Sequence, residues 1–161
     1  MRQTFLLDEN IIYHAIRGVD EHNQPDTTTA ELLVAIAKIC HGIFVHQHLL
    51  DAYNKALKSL RDYPPRSPIA LFFVKQLLYN SSKRGAVRQG ELPPLPLAAR
   101  KPPAVPREDE WVVQAALISS PILVTNEAGL RDSVNGHRDA LGLRAMDARE
   151  ALNFAESEHV P

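Results

Sequence analysis

The sequence predicts an α/β fold built on a doubly wound parallel sheet, and two observations support this prediction. Short apolar runs without polar alternation occupy residues 4–7, 43–45 and 121–125, a pattern typical of strands buried on both faces. Stretches with helical apolar spacing separate these runs, as βαβ units require. A length of 161 residues suits one domain with its own core, so we expect a single domain over residues 1–161.

The expected elements are placed by apolar spacing and by the residues that begin or end them. Strands are expected at residues 4–7, 43–45, 121–125 and, as an edge strand, 141–146. Helices are expected at residues 10–16, 28–39, 48–60, 67–79, 109–118, 128–133 and 148–155. Gly18 should end the first helix, and Pro64 and Pro65 the third. Thr28 and Glu31 have the spacing of a capping box at the start of the second helix.

Basic residues concentrate in the middle of the chain. Residues 61–107 contain nine Lys or Arg against two acidic residues, although the formal net charge of the whole chain is −1. Within this region, residues 80–107 contain six prolines, which predicts a long irregular loop, partly mobile. Basic segments attract polyanions, so Lys83, Arg84 and Arg88 are candidates for contacts with RNA phosphates. The alternative is that these charges only solvate the surface.

The composition favours a cytoplasmic protein. No apolar run approaches the roughly 18–20 residues that would cross a bilayer, so no membrane association is expected. The single cysteine, Cys40, cannot form an internal disulfide, which fits a reducing compartment. Cys40 lies at the apolar end of a helical pattern, and we expect it to be a small core residue.

Four acidic residues occupy positions that a parallel sheet would bring together. Asp8 directly follows the first strand, and Glu127 closely follows the strand at 121–125. Asp51 lies in the first turn of the helix after residues 43–45, and Asp109 begins the helix that precedes residues 121–125. Ligands of doubly wound sheets collect at the carboxyl ends of the strands. Each acid alone could instead cap or complement a helix N-terminus or lie on the surface.

Converging carboxylates would repel one another and would be stabilised by a hard divalent cation, for which Mg²⁺ or Mn²⁺ is the natural partner. Such a metal activates water for attack on a phosphodiester. This chemistry needs no serine triad, reactive cysteine or glycine-rich phosphate loop, and the sequence offers none of these convincingly.

Four segments of the chain resemble the PIN-domain ribonuclease family, including its toxin-like members. They carry the acidic positions of that family in the same order, and they are Phe5–Ile12, Gly42–Tyr53, Asp109–Ala116 and Ile122–Glu127. The resemblance covers roughly residues 3–155. It implies a three-layer sandwich whose central parallel sheet of four to five strands is flanked by helices.

The resemblance also implies an activity and a site. Asp8, Asp51, Asp109 and Glu127 would be catalytic and would bind Mg²⁺ or Mn²⁺, with support from Asn10, Thr125 and Asn126. The implied activity is a metal-dependent endoribonuclease, often a toxin with a protein antitoxin and often a homodimer. Two positions depart from the family pattern, because Asp51 replaces the usual Glu and Glu127 replaces a frequent Asp. Altered side-chain lengths favour, as the alternative, a degenerate module that binds RNA or a protein without cutting.

Several other interpretations remain open. Glu31 is a rival for Asp51, and Glu110 could replace Asp109. A haloacid-type hydrolase would need a second Asp two residues after Asp8, where the chain has Asn10. A nuclease acting on DNA is also possible, although no duplex-binding motif is evident. The pair His46 and His48 could bind zinc or approach substrate phosphates, or simply be exposed, and Trp111 is expected in the core or a dimer interface unless it stacks on a base.

Overall fold

The computed structural model describes residues 1–60 and 68–158 and forms a four-stranded sheet with helices packed around it. The strands are β1 (Thr4–Leu7), β2 (Gly42–Ile43), β3 (Ile122–Val124) and β4 (Ala145–Met146). Their order is β2-β1-β3-β4, and each neighbouring pair is parallel. The predicted parallel α/β fold is therefore confirmed, with β1 and β3 at the centre.

Helices connect and cover the strands. Within the described residues the α-helices are α1 (Glu9–Arg17), α2 (Thr28–Lys38), α3 (Gln47–Leu60), α4 (Pro68–Phe73), α5 (Ser81–Arg84), α6 (Glu110–Ala116), α7 (Ala128–Gly136), α8 (Arg138–Leu141) and α9 (Ala148–Ser157). A π-helical turn at Val74–Leu78 continues α4, and 3₁₀ turns lie at Leu97–Arg100 and Arg107–Asp109. The expected proline stop after α3 and the expected start at Ser67 lie outside the described residues.

The core lies on both faces of the central strands, as the unbroken apolar runs predict. Phe5, Leu6 and Leu7 of β1 are completely buried, and so are Leu123 and Val124 of β3. Burying residues on both faces leaves only the strand ends free to carry polar groups. The two central strands therefore deliver their next residues, including the acids, to one edge of the sheet.

Local sequence signals account for the ends of α1. The Asp8 side chain accepts a hydrogen bond from the Glu9 backbone N–H at 2.8 Å and caps the N-terminus. Gly18 follows the last helical residue with a φ of 66°, a left-handed conformation that favours glycine. The predicted stop at Gly18 is confirmed.

The edge strand expected over residues 141–146 is regular only at Ala145–Met146, because Arg138–Leu141 form α8. Four further sequence predictions differ from the structure. The regular part of β2 is only Gly42–Ile43, because beyond it the chain turns to pair His46 with Arg88. Cys40 is exposed rather than part of the core, since α2 ends before it. The capping box expected from Thr28 and Glu31 does not form, and the Glu31 carboxylate instead accepts from the Thr27 hydroxyl at 2.6 Å.

The fourth difference concerns residues 80–107, which are more ordered than the prolines suggested. They contain α5 and a 3₁₀ turn, and Arg88 donates its N–H to the Val45 carbonyl at 2.9 Å. The Lys83 carbonyl oxygen lies so close to Gly42 that any Cβ at this position would clash with it. Glycine is therefore required at Gly42 to let the basic segment pack against β2.

No helix among the described residues is long and apolar enough to cross a membrane.

Candidate functional site

Asp8 lies at the centre of a polar network at the carboxyl edge of the sheet. It follows β1 directly, and its backbone N–H donates to the Val124 carbonyl at the end of β3 at 2.9 Å. Its side chain is almost fully buried, with 3% exposed. The position of this carboxylate is therefore determined by both central strands.

Thr125 and Asn10 hold the Asp8 carboxylate. The Thr125 hydroxyl donates to Asp8 Oδ2 at 2.8 Å, and the Asn10 amide Nδ2 donates to the same oxygen at 2.9 Å. Asn10 Nδ2 also lies 3.1 Å from Thr125 Oγ1 and 3.4 Å from Glu127 Oε1. The structure thus brings Asn10 and Thr125, both predicted as supporting residues, into contact with Asp8.

Burial and neighbouring charge change the protonation of Asp8. Burial raises the pKa of Asp8 to about 6, and the negative charge of Glu127 adds to this effect. The hydrogen bond from Thr125 acts in the opposite direction, because it stabilises the ionised form. Asp8 therefore has a higher pKa than a solvent-exposed aspartate.

Asp109 and Glu127 complete a group of three acids at this edge. Asp109 is the last residue of the 3₁₀ turn Arg107–Asp109, just before α6, and it interacts with Glu127 and Asp8. The pKa of Asp109 is raised to about 7 by partial burial, by the charges of Glu127 and Asp8, and by a hydrogen bond with Glu127. These interactions indicate that the three carboxyl groups share one electrostatic environment, although they are far apart in the sequence.

Asp51 has a different environment. It is exposed on α3, and its Oδ1 accepts a hydrogen bond from Gln47 Nε2, one helical turn earlier, at 2.9 Å. Among the described residues, no hydrogen bond or ion pair joins Asp51 to Asp8, Asp109 or Glu127. Its assignment as a metal ligand remains a prediction. The rivals named from the sequence gain no support, since Glu31 binds the Thr27 hydroxyl and Glu110 is the first residue of α6.

Asn126, predicted as a supporting residue, extends the network to His14, which the sequence did not indicate. The Asn126 backbone N–H donates to Asn10 Oδ1 at 3.2 Å, and Asn126 Oδ1 accepts from the Ala148 N–H at 3.2 Å. The Asn126 amide Nδ2 lies 2.8 Å from His14 Nδ1. Only the spacing of Asn10 and His14, four residues apart on α1, could have suggested that both face one site.

Tyr53 also reaches this edge, although its place in an apolar helical pattern suggested a plain core residue. Its hydroxyl donates to the Leu7 carbonyl, immediately before Asp8, and its ring packs edge-on against Phe73 at 5.4 Å between centroids. The Tyr53 side chain is fully buried, so α3 holds the strand end that precedes Asp8 through this hydrogen bond.

The three basic residues predicted to contact RNA, Lys83, Arg84 and Arg88, differ in how free their side chains are to bind a ligand. The Lys83 ammonium donates to three backbone carbonyls at the end of α2, those of Ile36, Ile39 and His41. Since an ammonium has three donors, Lys83 has none left for a phosphate in this arrangement. Arg84 is partly buried, whereas Arg88 is exposed and available to a ligand.

His46 and His48 stack on each other, with ring centroids 5.0 Å apart. His46 is completely buried, and burial lowers its pKa, while His48 is exposed. The His48 backbone N–H donates to His46 Nδ1 at 3.2 Å. The pair therefore supports the turn into α3. Trp111 is partly buried against the core, as expected.

The oxygen atoms at the carboxyl edge are of the kind that binds a divalent cation. Their present positions, however, do not surround a common point. Carboxylate and hydroxyl oxygens are ligands that Mg²⁺ and Mn²⁺ prefer. Within the described residues, no three His, Cys, Asp or Glu side chains are arranged so that they could hold a metal ion as they stand. Both Asp8 oxygens already accept hydrogen bonds, so a metal would have to displace some of these contacts.

The sequence matches no family model and no curated protein.

Proposed function

We propose that the protein is a PIN-like, metal-dependent endoribonuclease. The observation that supports the proposal most is the grouping of Asp8, Asp109 and Glu127 at the carboxyl edge of the two central strands, with the pKa of two of them raised toward neutrality. Acids that are placed together and destabilised when ionised are typical of functional sites. Doubly wound parallel sheets bind their ligands at this same edge.

In this proposal the three carboxylates would hold Mg²⁺ or Mn²⁺, and the bound cation would activate water and stabilise charge on the phosphodiester. Asn10 and Thr125 orient the Asp8 carboxylate through hydrogen bonds to Oδ2. Arg88, whose backbone pairs with His46 just beyond β2, is exposed and would bind RNA phosphate. The toxin role, an antitoxin partner and a homodimer belong to the same proposal and rest on the resemblance alone.

One observation favours the second candidate, a non-cleaving module that binds RNA or a protein. Asp51, which the resemblance placed among the ligands, is exposed and bonded to Gln47 on its own helix. A site with three acids instead of four has less charge to hold a cation. Such a module would keep its ligand affinity while lacking hydrolysis.

A cleavage assay separates the two candidates. Purified protein is incubated with a fluorescently labelled single-stranded RNA in Mn²⁺, in Mg²⁺ and in EDTA, with Asp8→Asn as the inactive control. Cleavage by the wild type that requires metal and is lost in Asp8→Asn supports the nuclease. RNA binding without cleavage by the wild type supports the module in its RNA-binding form. Neither binding nor cleavage rejects the nuclease and the RNA-binding module.

A further inference from the structure

A polar cavity lies next to the acidic edge and has no role in the proposed nuclease. Its volume is about 180 Å³, which is larger than a single water molecule or metal ion requires. The cavity is formed by the loop between α1 and α2 and by the N-terminal ends of α2 and α9. The polar side chains in its wall that matter here are Asp20, Glu21, Asp26, Asp147, Thr29 and Arg149.

The two helix ends in the wall are already occupied, so the cavity does not suit an anion. Asp26 Oδ1 accepts the Thr28 N–H at the start of α2 at 2.6 Å. Asp147 Oδ1 accepts the Glu150 N–H at the start of α9 at 2.8 Å, within a complete capping box. These carboxylates take up the N–H groups that would otherwise attract an anion.

The wall is rich in acceptors. Four carboxylates face one guanidinium, so the wall carries an excess of negative charge at neutral pH. Hydrogen bonds from Thr28 lower the pKa of Asp26, which keeps this carboxylate ionised. The oxygens of Asp20 are only partly used, since the His22 and Gln24 N–H groups both bond to Oδ1, at 2.9 and 2.8 Å. Glu21 is exposed, and its Oε1 lies 3.8 Å from His22 Nε2.

Thr29 is an independent observation that points to a ligand in this cavity. It lines the cavity, its side chain is 3% exposed, and among the described residues its Oγ1 has no hydrogen-bond partner. A buried hydroxyl without a partner costs free energy, so native structures rarely leave one unpaired. A donor group bound against this wall would supply the missing partner.

The wall already accommodates one guanidinium. Arg149 lies at the exposed rim, where its NH2 donates to Thr28 Oγ1 at 2.8 Å and lies 3.8 Å from Asp26 Oδ2. The remaining acceptors, Asp20, Glu21, Asp147 and Thr29, surround the rest of the cavity. No aromatic ring lines it, which disfavours a stacked base.

We propose that this cavity binds an alkyl cation, a guanidinium or ammonium group on a short aliphatic stem. Two sources share this chemistry, a free small amine and an Arg or Lys side chain presented by a polypeptide. The site is distinct from the acidic edge and does not depend on nuclease activity. Asn126 lines this cavity and also donates its backbone N–H to Asn10, which holds Asp8, so it connects the cavity with the acidic edge.

The test is an amide NMR titration of the metal-free protein in EDTA with three probes. Butylguanidine is the cation, butylurea is its neutral counterpart of the same shape, and N-acetyl-arginine amide presents the cation on a backbone. We expect saturable shifts at Glu21, Thr29 and Arg149 with butylguanidine, and binding of butylurea at least roughly tenfold weaker. Binding of N-acetyl-arginine amide would show that the site also accepts an Arg side chain on a backbone. If butylguanidine binds and N-acetyl-arginine amide does not, the site accepts only free small cations.

Matched variants locate the site. Glu21→Gln should weaken butylguanidine binding several-fold, whereas Glu156→Gln, exposed on α9, should leave it unchanged. Thr29→Val should weaken binding as well, and Thr29→Ser, which restores the hydroxyl, should recover it. The proposal is overturned if butylurea binds as well as butylguanidine, if shifts do not saturate, or if Glu21→Gln and Glu156→Gln behave alike. RNA cleavage is not measured, so the result is independent of the nuclease proposal.

Discussion

The acidic residues that follow the central strands and the acidic residue that follows the edge strand β2 have different surroundings. Asp8 follows β1, is buried, and shares its surroundings with Asp109 and Glu127. Asp51, in the helix after β2, is exposed and bonded to Gln47. The difference shows that Asp8 is held in the group because it directly follows a central strand, whereas Asp51 lies on the exposed face of a helix and bonds within that helix.

The largest expected difference is in catalysis. Asp8→Asn should lower Mn²⁺-dependent RNA cleavage by more than about 100-fold, because even residues that only support metal ligands cost about 10–100-fold. Asp51→Asn should change the rate by less than about twofold if it lies outside the site, as its contacts indicate. The measurement is single-turnover cleavage of labelled RNA. Equal losses in both variants would restore Asp51 to the proposed site.

Stability should depend on pH through the central acids and not through Asp51. The folded-state pKa of Asp8 is about 6 and that of Asp109 about 7, both above the ordinary value of 3.8, so the folded protein binds these protons more tightly. The contribution of these two acids to the free energy of unfolding should therefore fall as pH rises from about 4 through 7. For Asp8 alone the loss is on the order of 3 kcal/mol.

Urea unfolding in EDTA at pH 5 and pH 8 measures this loss. Asp8→Asn should remove a large part of the difference, while Asp51→Asn should keep it. Added Mn²⁺ should restore stability at pH 8 in the wild type if the acids bind it. Burial lowers the pKa of His46 and of His14, which acts in the opposite direction, so the comparison with Asp8→Asn isolates the acid. An equal difference between pH 5 and pH 8 in the wild type and in Asp8→Asn would contradict the raised pKa of Asp8.

The edge strand should depend on the basic segment for stability rather than for binding. Lys83→Met removes the ammonium from three carbonyls at the end of α2, and it should lower the free energy of unfolding by about 2 kcal/mol. Lys75→Met, at an exposed position, is the control and should have little effect. Thermal melts measure both. RNA affinity that falls in Lys83→Met without loss of stability would assign Lys83 to the RNA surface after all.

The smallest expected effect concerns Thr125, whose hydroxyl donates to Asp8 Oδ2. Thr125→Val keeps the shape and should cost about 1 kcal/mol. Because this hydrogen bond holds the pKa of Asp8 down, its removal should move the pH-dependent loss of stability to higher pH. Thr4→Val, in which an exposed hydroxyl that bonds to no carboxylate among the described residues is removed, is the control. An unchanged pH profile in Thr125→Val would mean that Thr125 does not tune Asp8.

Much of the fold could be predicted because strong local signals coincide with the tertiary arrangement. The apolar runs of β1 and β3 have no polar alternation, so they had to be buried on both faces, and Gly18 had to end α1. Weaker signals failed where tertiary packing competed with them. Cys40 continued the apolar spacing of α2, yet the helix ends before it and leaves it exposed.

The candidate site divides in the same way. By itself, the sequence determined the parallel α/β fold and the placement of Asp8 and Glu127 just after two buried strands, because apolar periodicity and the residue that follows a strand are local properties of the chain. Only the tertiary structure decided that Asp109 joins them, that Asp51 does not contact them, and that Lys83 binds carbonyls. These outcomes depend on helix direction and on long-range hydrogen bonds between segments, which no local pattern encodes.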